Sequence, residues 1–263
     1  MYRSFQLTLC VITCAMSGCL FGQRPGLPVD NSVVRDQLVI YTDFDLPRRH
    51  RLINEMVALR SLLASKLQLP TSDEPIHVYL FDSSKQYRKF MGKHYSDFAD
   101  RRAFFVKTDT TLTVYAHWND RVAEDLQHEV AHGYLHSIIP NLPLWLDEGL
   151  AEYFEVPRGL RGVNAPHVKL LMEQYTKDRW TPDLERLEQL TVAIEMDQMD
   201  YAESWLWVHI LLESTPERLE VIRKNLKAMR DNGSAEPLSK LVAEIEPSPQ
   251  RSLFQHLKAV AED

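Results

Sequence analysis

Residues 119–154 read NDRVAEDLQHEVAHGYLHSIIPNLPLWLDEGLAEYF, and their reading divides the chain in two. Apolar residues recur at helical spacing from Asp120 to Ile138 and again from Leu144 to Glu155, with Pro140-Asn141-Leu142-Pro143 between them. A connection this short and bounded by proline predicts two helices that are neighbours in space.

Upstream, strand and helix patterns alternate. Gln37 to Thr42, Ile76 to Phe81, Ala103 to Lys107 and Thr111 to Ala116 carry strand signals, the last two separated by the polar turn Thr108-Asp109-Thr110. Pro47 to Leu67 and Ser83 to His94 read as helices, the first with Leu52, Met56, Leu59 and Leu63 in an apolar stripe and Arg48, Arg49 and Arg51 on a solvated face. Downstream the pattern is helical: Pro166 to Lys177, Tyr201 to Glu213, Pro216 to Arg230 and two weaker segments toward the C-terminus. Trp205, Val208 and Leu212 read as a core stripe. The predicted fold class is α+β, a small mixed α/β N-terminal lobe packed on a helical C-terminal lobe with a cleft at their junction.

At 263 residues, 44% hydrophobic and 25% charged, the chain has the balance of a globular protein with one large domain or two small ones. A formal charge of −7, without a basic run interleaved with aromatics, argues against nucleic acid as a partner. Cys10, Cys14 and Cys19 are the three cysteines, so the later chain has no internal disulfide. Arg3 followed by the apolar run Phe5 to Met16 reads as a secretory signal, too short to span a bilayer. Met16-Ser17-Gly18-Cys19 resembles the bacterial lipobox, which implies cleavage before Cys19, lipidation of its thiol and an exported, membrane-anchored envelope protein, with ordinary signal cleavage and an uncleaved anchor as the alternatives. The expected organisation is a signal peptide at 1–18, a tether at 19–34, a catalytic core at 35–156 and a helical lobe at 157–263.

His128-Glu129-Val130-Ala131-His132 is H-E-x-x-H on a helix, which sets the two imidazoles only about 40° apart around the axis. Both can converge on one metal ion, and Glu129 on the neighbouring facet can take a proton from a water activated there. A third ligand is required. The histidine that metzincins place six residues on is Ile138 here, so Glu148 near the start of the following helix becomes the natural candidate.

Together, H-E-x-x-H and W-L-x-E-G-x-A over Trp145 to Ala151 resemble the gluzincins, zinc metallopeptidases that include thermolysin and the aminopeptidase N group. From Ile76 to Leu212 the chain is similar to uncharacterised bacterial peptidase-like proteins with the same pair of motifs. The resemblance implies a zincin-like core with Zn²⁺ as cofactor, held by His128, His132 and Glu148, and Glu-assisted hydrolysis of peptide bonds with Glu129 as the base. It implies Glu152 as a carboxylate orienting a liganding imidazole, and a Tyr or His opposite the metal as oxyanion donor, for which Tyr201 at the start of its helix is the candidate. It also implies that strand Thr111 to Ala116 is the edge on which a peptide or protein substrate is laid. The spacing from His132 to Glu148 is slightly shorter than the family's, and no G-x-M-E-N motif is present, which favours an endopeptidase. A catalytically inactive, zinc-stabilised envelope binding protein and a zinc hydrolase of a non-peptide amide remain open. Asp147 reads as a first-turn acid favoured by the helix dipole. His136, about 12 Å along the axis from His128, reads as a packing or hydrogen-bonding residue, and His117 as an exposed loop residue or a substrate contact.

Overall fold

The computed structural model describes residues 26–262, so the predicted signal peptide and Cys19 lie outside the described residues. A five-stranded mixed sheet occupies the N-terminal half. Its strands are β1 (Asn31–Arg35), β2 (Leu38–Thr42), β3 (Ile76–Phe81), β4 (Ala103–Lys107) and β5 (Leu112–His117). In space they run β1-β2-β3-β5-β4, with β2, β3 and β5 parallel and β1 and β4 antiparallel at the edges.

Ten helices complete the described chain: α1 (Arg51–Leu67), α2 (Ser84–His94), α3 (Val122–His136), α4 (Leu144–Phe154), α5 (Ala165–Thr176), α6 (Leu184–Glu188), α7 (Gln198–Glu213), α8 (Pro216–Asn232), α9 (Leu238–Ile245) and α10 (Pro249–Glu262). The α+β class read from the sequence is the observed one. None of the described helices is long and apolar enough to cross a membrane.

Strand alternation sorts the sheet into two faces. Ile76, Val78 and Leu80 with Leu112, Val114 and Ala116 join α1 and α3 in the main core. On the opposite face Tyr41, Tyr79 and Tyr115 stack across three strands at ring distances of 4.9 and 5.6 Å. The main core continues into the helical half as far as Leu257, so the boundary predicted at 156/157 separates a sheet-bearing part from a helical part around one shared interior.

Helix α7 is the axis of that helical part. Every residue from Ala202 to Leu212 is buried, the Trp205, Val208 and Leu212 stripe and the polar Glu203, Ser204 and His209 included. It packs along α4 at a close crossing. A Cβ on Gly149 would meet the carbonyl oxygen of Ser204 at 2.6 Å and Val208 Cγ2 at 2.8 Å. Backbone cannot swing aside as a side chain can, so Gly149→Ala should destabilise by about 1–3 kcal/mol and lower the melting temperature by roughly 2–10 °C. Thermal unfolding measures it, and an unchanged melting temperature would show that the helices slide apart freely.

Several expectations change. Residues 31–34, assigned to the tether, lie in β1, which pairs with β2 through a tight turn at Asp36, where φ is +50°. Helix α1 starts at Arg51 instead of Pro47, because Pro47–His50 folds as a turn and His50 Nδ1 accepts the Leu52 N–H at 3.2 Å as a cap. Tyr201 does not open its helix: α7 begins at Gln198 behind an Asp197/Asp200 capping box, which puts Tyr201 a turn inside. Strand β5 is not the edge strand, because the hairpin folds β4 back to its outer side and β4 takes the edge.

Candidate metal centre

Helix α3 lies against β4 and β5 and carries His128 and His132 one turn apart on the face turned toward α4. Their Nε2 atoms approach to 3.2 Å. Glu148, one turn into α4, brings Oε2 to 3.5 Å from His128 Nε2 and 3.6 Å from His132 Nε2. Ligands bound tetrahedrally at about 2.0–2.1 Å stand about 3.3–3.4 Å from one another. The spacing therefore fits one small ion. His128, His132 and Glu148 form a buried His/Glu group close enough to hold a metal ion, as the two histidines and the carboxylate read from the sequence required.

Electrostatics point the same way. Burial works against charge on His132, yet Asp147 and Glu148 lift its pKa to about 10. Burial likewise opposes charge on His128, but hydrogen bonds to Glu148 and Glu155 hold its pKa well above the ordinary value. Glu148 is driven the other way: burial alone would raise it, and the two histidines bring it down to about 2. The cage thus demands positive charge, which a proton or a metal cation can satisfy.

Each imidazole has a carboxylate behind it. His128 Nδ1 lies 2.9 Å from Glu155 Oε2, and His132 Nδ1 lies 2.9 Å from Asp147 Oδ1, the latter an ion-pair contact and not an aligned hydrogen bond. Asp147 also takes His136 Nε2 on its other oxygen at 2.8 Å, and the Phe105 ring of β4 stacks against both His132 and His136. Protons on both Nδ1 atoms leave both Nε2 lone pairs facing the cage, the tautomer that metal ligation uses.

These contacts correct two expectations. Glu152 makes no direct hydrogen bond to a liganding histidine: its Oε2 takes His167 Nε2 at 2.8 Å and Asn164 Nδ2 at 3.1 Å, and it meets Glu155, which stands behind His128. Asp147 is the first-turn acid read from the sequence, but its carboxylate is held by His132 and His136, a partnership the helix-dipole reading did not include, and the hydrogen bond of His136 is the role expected of it. The missed residue is Glu155, whose other oxygen accepts from Asn164 Nδ2 at 3.0 Å. Seven residues is nearly two full turns, so Glu155 sits closer to the Glu148 facet than Glu152 does, and that spacing was present in the sequence. His117 is neither exposed nor in the cavity wall; it ends β5, buried against Tyr87.

Beside the cage opens a cavity of about 890 Å³ lined by the loop before β4, one flank of α3, the end of α4, the start of α5 and the start of α7. His128, Glu129 and Tyr201 all reach it. Glu129 is 9% exposed, and burial, opposed by the two histidines, raises its carboxyl pKa. Tyr201 is raised by burial and by the Glu148 charge, and its hydroxyl accepts from Arg101 Nη2 at 3.4 Å. Arg101 went unnoticed in the sequence because it lies 100 residues from Tyr201. A comparison with known protein families finds no match, and no curated protein matches the chain.

Proposed function

We propose that this chain is a zinc-dependent peptidase of the gluzincin type. The observation that carries the reading is the convergence of His128 Nε2, His132 Nε2 and Glu148 Oε2 within 3.6 Å beside a cavity that Glu129 also lines. Two imidazoles and one carboxylate at tetrahedral spacing suit Zn²⁺, and three protein ligands leave a fourth position open, the pattern of catalytic sites. Zinc, when bound, acidifies a water and polarises a carbonyl.

The residues divide the remaining work. Glu129, with its raised pKa, takes the proton of the attacking water and delivers it to the leaving amine. Asp147 and Glu155 hold the imidazoles in register. Among the described residues no strand pairs with the outer edge of β4, which is therefore free to take an extended peptide backbone. Incubating the zinc-loaded chain with a diverse peptide library, with and without chelator, tests the reading. Cleavage that chelator abolishes and zinc restores is expected; an intact library would sink it.

Tyr201 donates its hydroxyl to the carbonyl oxygen as negative charge develops there. Arginine only donates, so the contact with Arg101 leaves the Tyr201 proton free for the cavity. Tyr201→Phe should lower kcat by about 10²–10³-fold, with zinc content and thermal stability nearly unchanged. A normal kcat, or a loss that merely follows unfolding, would return Tyr201 to a structural role.

The lipobox-like Met16–Cys19 segment supports an envelope location with Cys19 as the anchor. Cys19→Ser should abolish lipidation and leave the protein unprocessed or mislocalised. Unchanged detergent extraction would favour ordinary signal cleavage.

A further inference from the structure

Arg101 stands on the wall of the metal-site cavity, in the loop that leads into β4. Its neighbours are neutralised: Arg102 grips Asp125 through Nε and Nη2 at 2.6–3.0 Å, and Arg121 pairs with Glu124. Among the described residues no ion pair includes Arg101. Its contacts are the Tyr201 hydroxyl and the Phe98 ring, 5.4 Å from the guanidinium carbon to the ring centre. A guanidinium carries five N–H donors in a planar fork. The Phe98 ring takes no N–H donor and one donor goes to Tyr201, so the other donors of the fork are unspent among the described residues.

The surrounding charge makes this position selective. Asp100 and Asp120, which no ion pair includes among the described residues, line other parts of the same cavity and repel an anion there. Burial works against charge on Arg101, but Tyr201, Glu129 and Glu148 outweigh it and hold its pKa above the ordinary value. A permanent cation thus faces the cavity one hydrogen bond from Tyr201, beside the carbonyl that Tyr201 would hold.

We propose that Arg101 receives a carboxylate of the substrate close to the scissile bond and so sets specificity for acidic peptides. The carboxylate is either the free C-terminus or an Asp or Glu side chain, both of which match the planar fork through paired hydrogen bonds. The inference rests on the peptidase reading and names its substrate class.

Binding separates it from turnover. Three dipeptide hydroxamates serve as probes for the zinc-loaded full chain: one with a free C-terminal carboxylate, its C-terminal amide, and an amide carrying a Glu side chain. Calorimetry should show at least one acidic probe binding about 10–100-fold tighter than the neutral amide, the range for a charged hydrogen-bonded pair. In Arg101→Met that ratio should fall toward one, and Arg101→Lys should retain part of it as a point charge. A preference confined to the free acid assigns the C-terminus, and one confined to the Glu probe assigns a side chain. Equal affinities of all three for the unaltered chain, or a preference that persists in Arg101→Met, overturn the inference. Probes that all fail to bind defeat the metal-site reading first, and this inference falls with it.

Discussion

Glu129→Gln should keep its metal and its fold and lose turnover by about 10²–10⁴-fold. The amide has the size and shape of the carboxylate and still fills the same buried position on α3. It cannot accept the proton that the attacking water must shed. Fold stability should hold or rise slightly. Burial raises the Glu129 pKa, so the ionised form is disfavoured in the folded chain and a neutral side chain removes that penalty at neutral pH. Zinc analysis, thermal unfolding and peptide hydrolysis on the same preparation check the three parts. Undiminished hydrolysis would remove Glu129 from the chemistry.

The second large effect is a graded loss of metal. Glu148→Ala should weaken zinc binding by more than 100-fold, since it removes an oxygen that stands 3.5 and 3.6 Å from the two ligand nitrogens. It also leaves two imidazoles whose charge that carboxylate supports. Asp147→Asn and Glu155→Gln should weaken it by about 10–100-fold, the range for groups that orient a ligand from behind. Glu152→Gln should change it least of the four, because its hydrogen bonds go to His167 and Asn164. Competition with a chromophoric chelator measures the series. Full zinc affinity in Glu148→Ala together with loss in Glu152→Gln would reassign the third ligand.

Most elements of the fold were legible, and the departures have local causes. Strands β3 and β4 and helices α4 and α5 fall within a residue of the boundaries read from the sequence, because each carries a clean apolar period. Strand β1 was hidden, since NSVVR is short and mostly exposed and follows a Pro- and Gly-rich stretch. The start of α7 was hidden differently: Asp197 and Asp200 carry the capping signal, but the apolar run becomes obvious only from Ala202. In the site, Glu148 was legible from a short helix connection, whereas Glu155 was missed because only Glu152, one turn beyond Glu148, was read as the supporting carboxylate.

By itself the sequence determined what repeats locally: the shared face of His128 and His132, the neighbouring carboxylate of Glu148, the adjoining carboxylate of Glu129 and the α+β order of elements. Helical and strand periods are properties of consecutive residues, and they survive without knowledge of the rest of the chain. Tertiary structure alone decided that Asp147 stands behind His132, that β4 and not β5 is the sheet edge, and that Arg101 meets Tyr201. Those contacts join residues on different elements, 15 and 100 positions apart, or depend on the order of strands across the sheet. They are set by how the common core packs, and no local period records that.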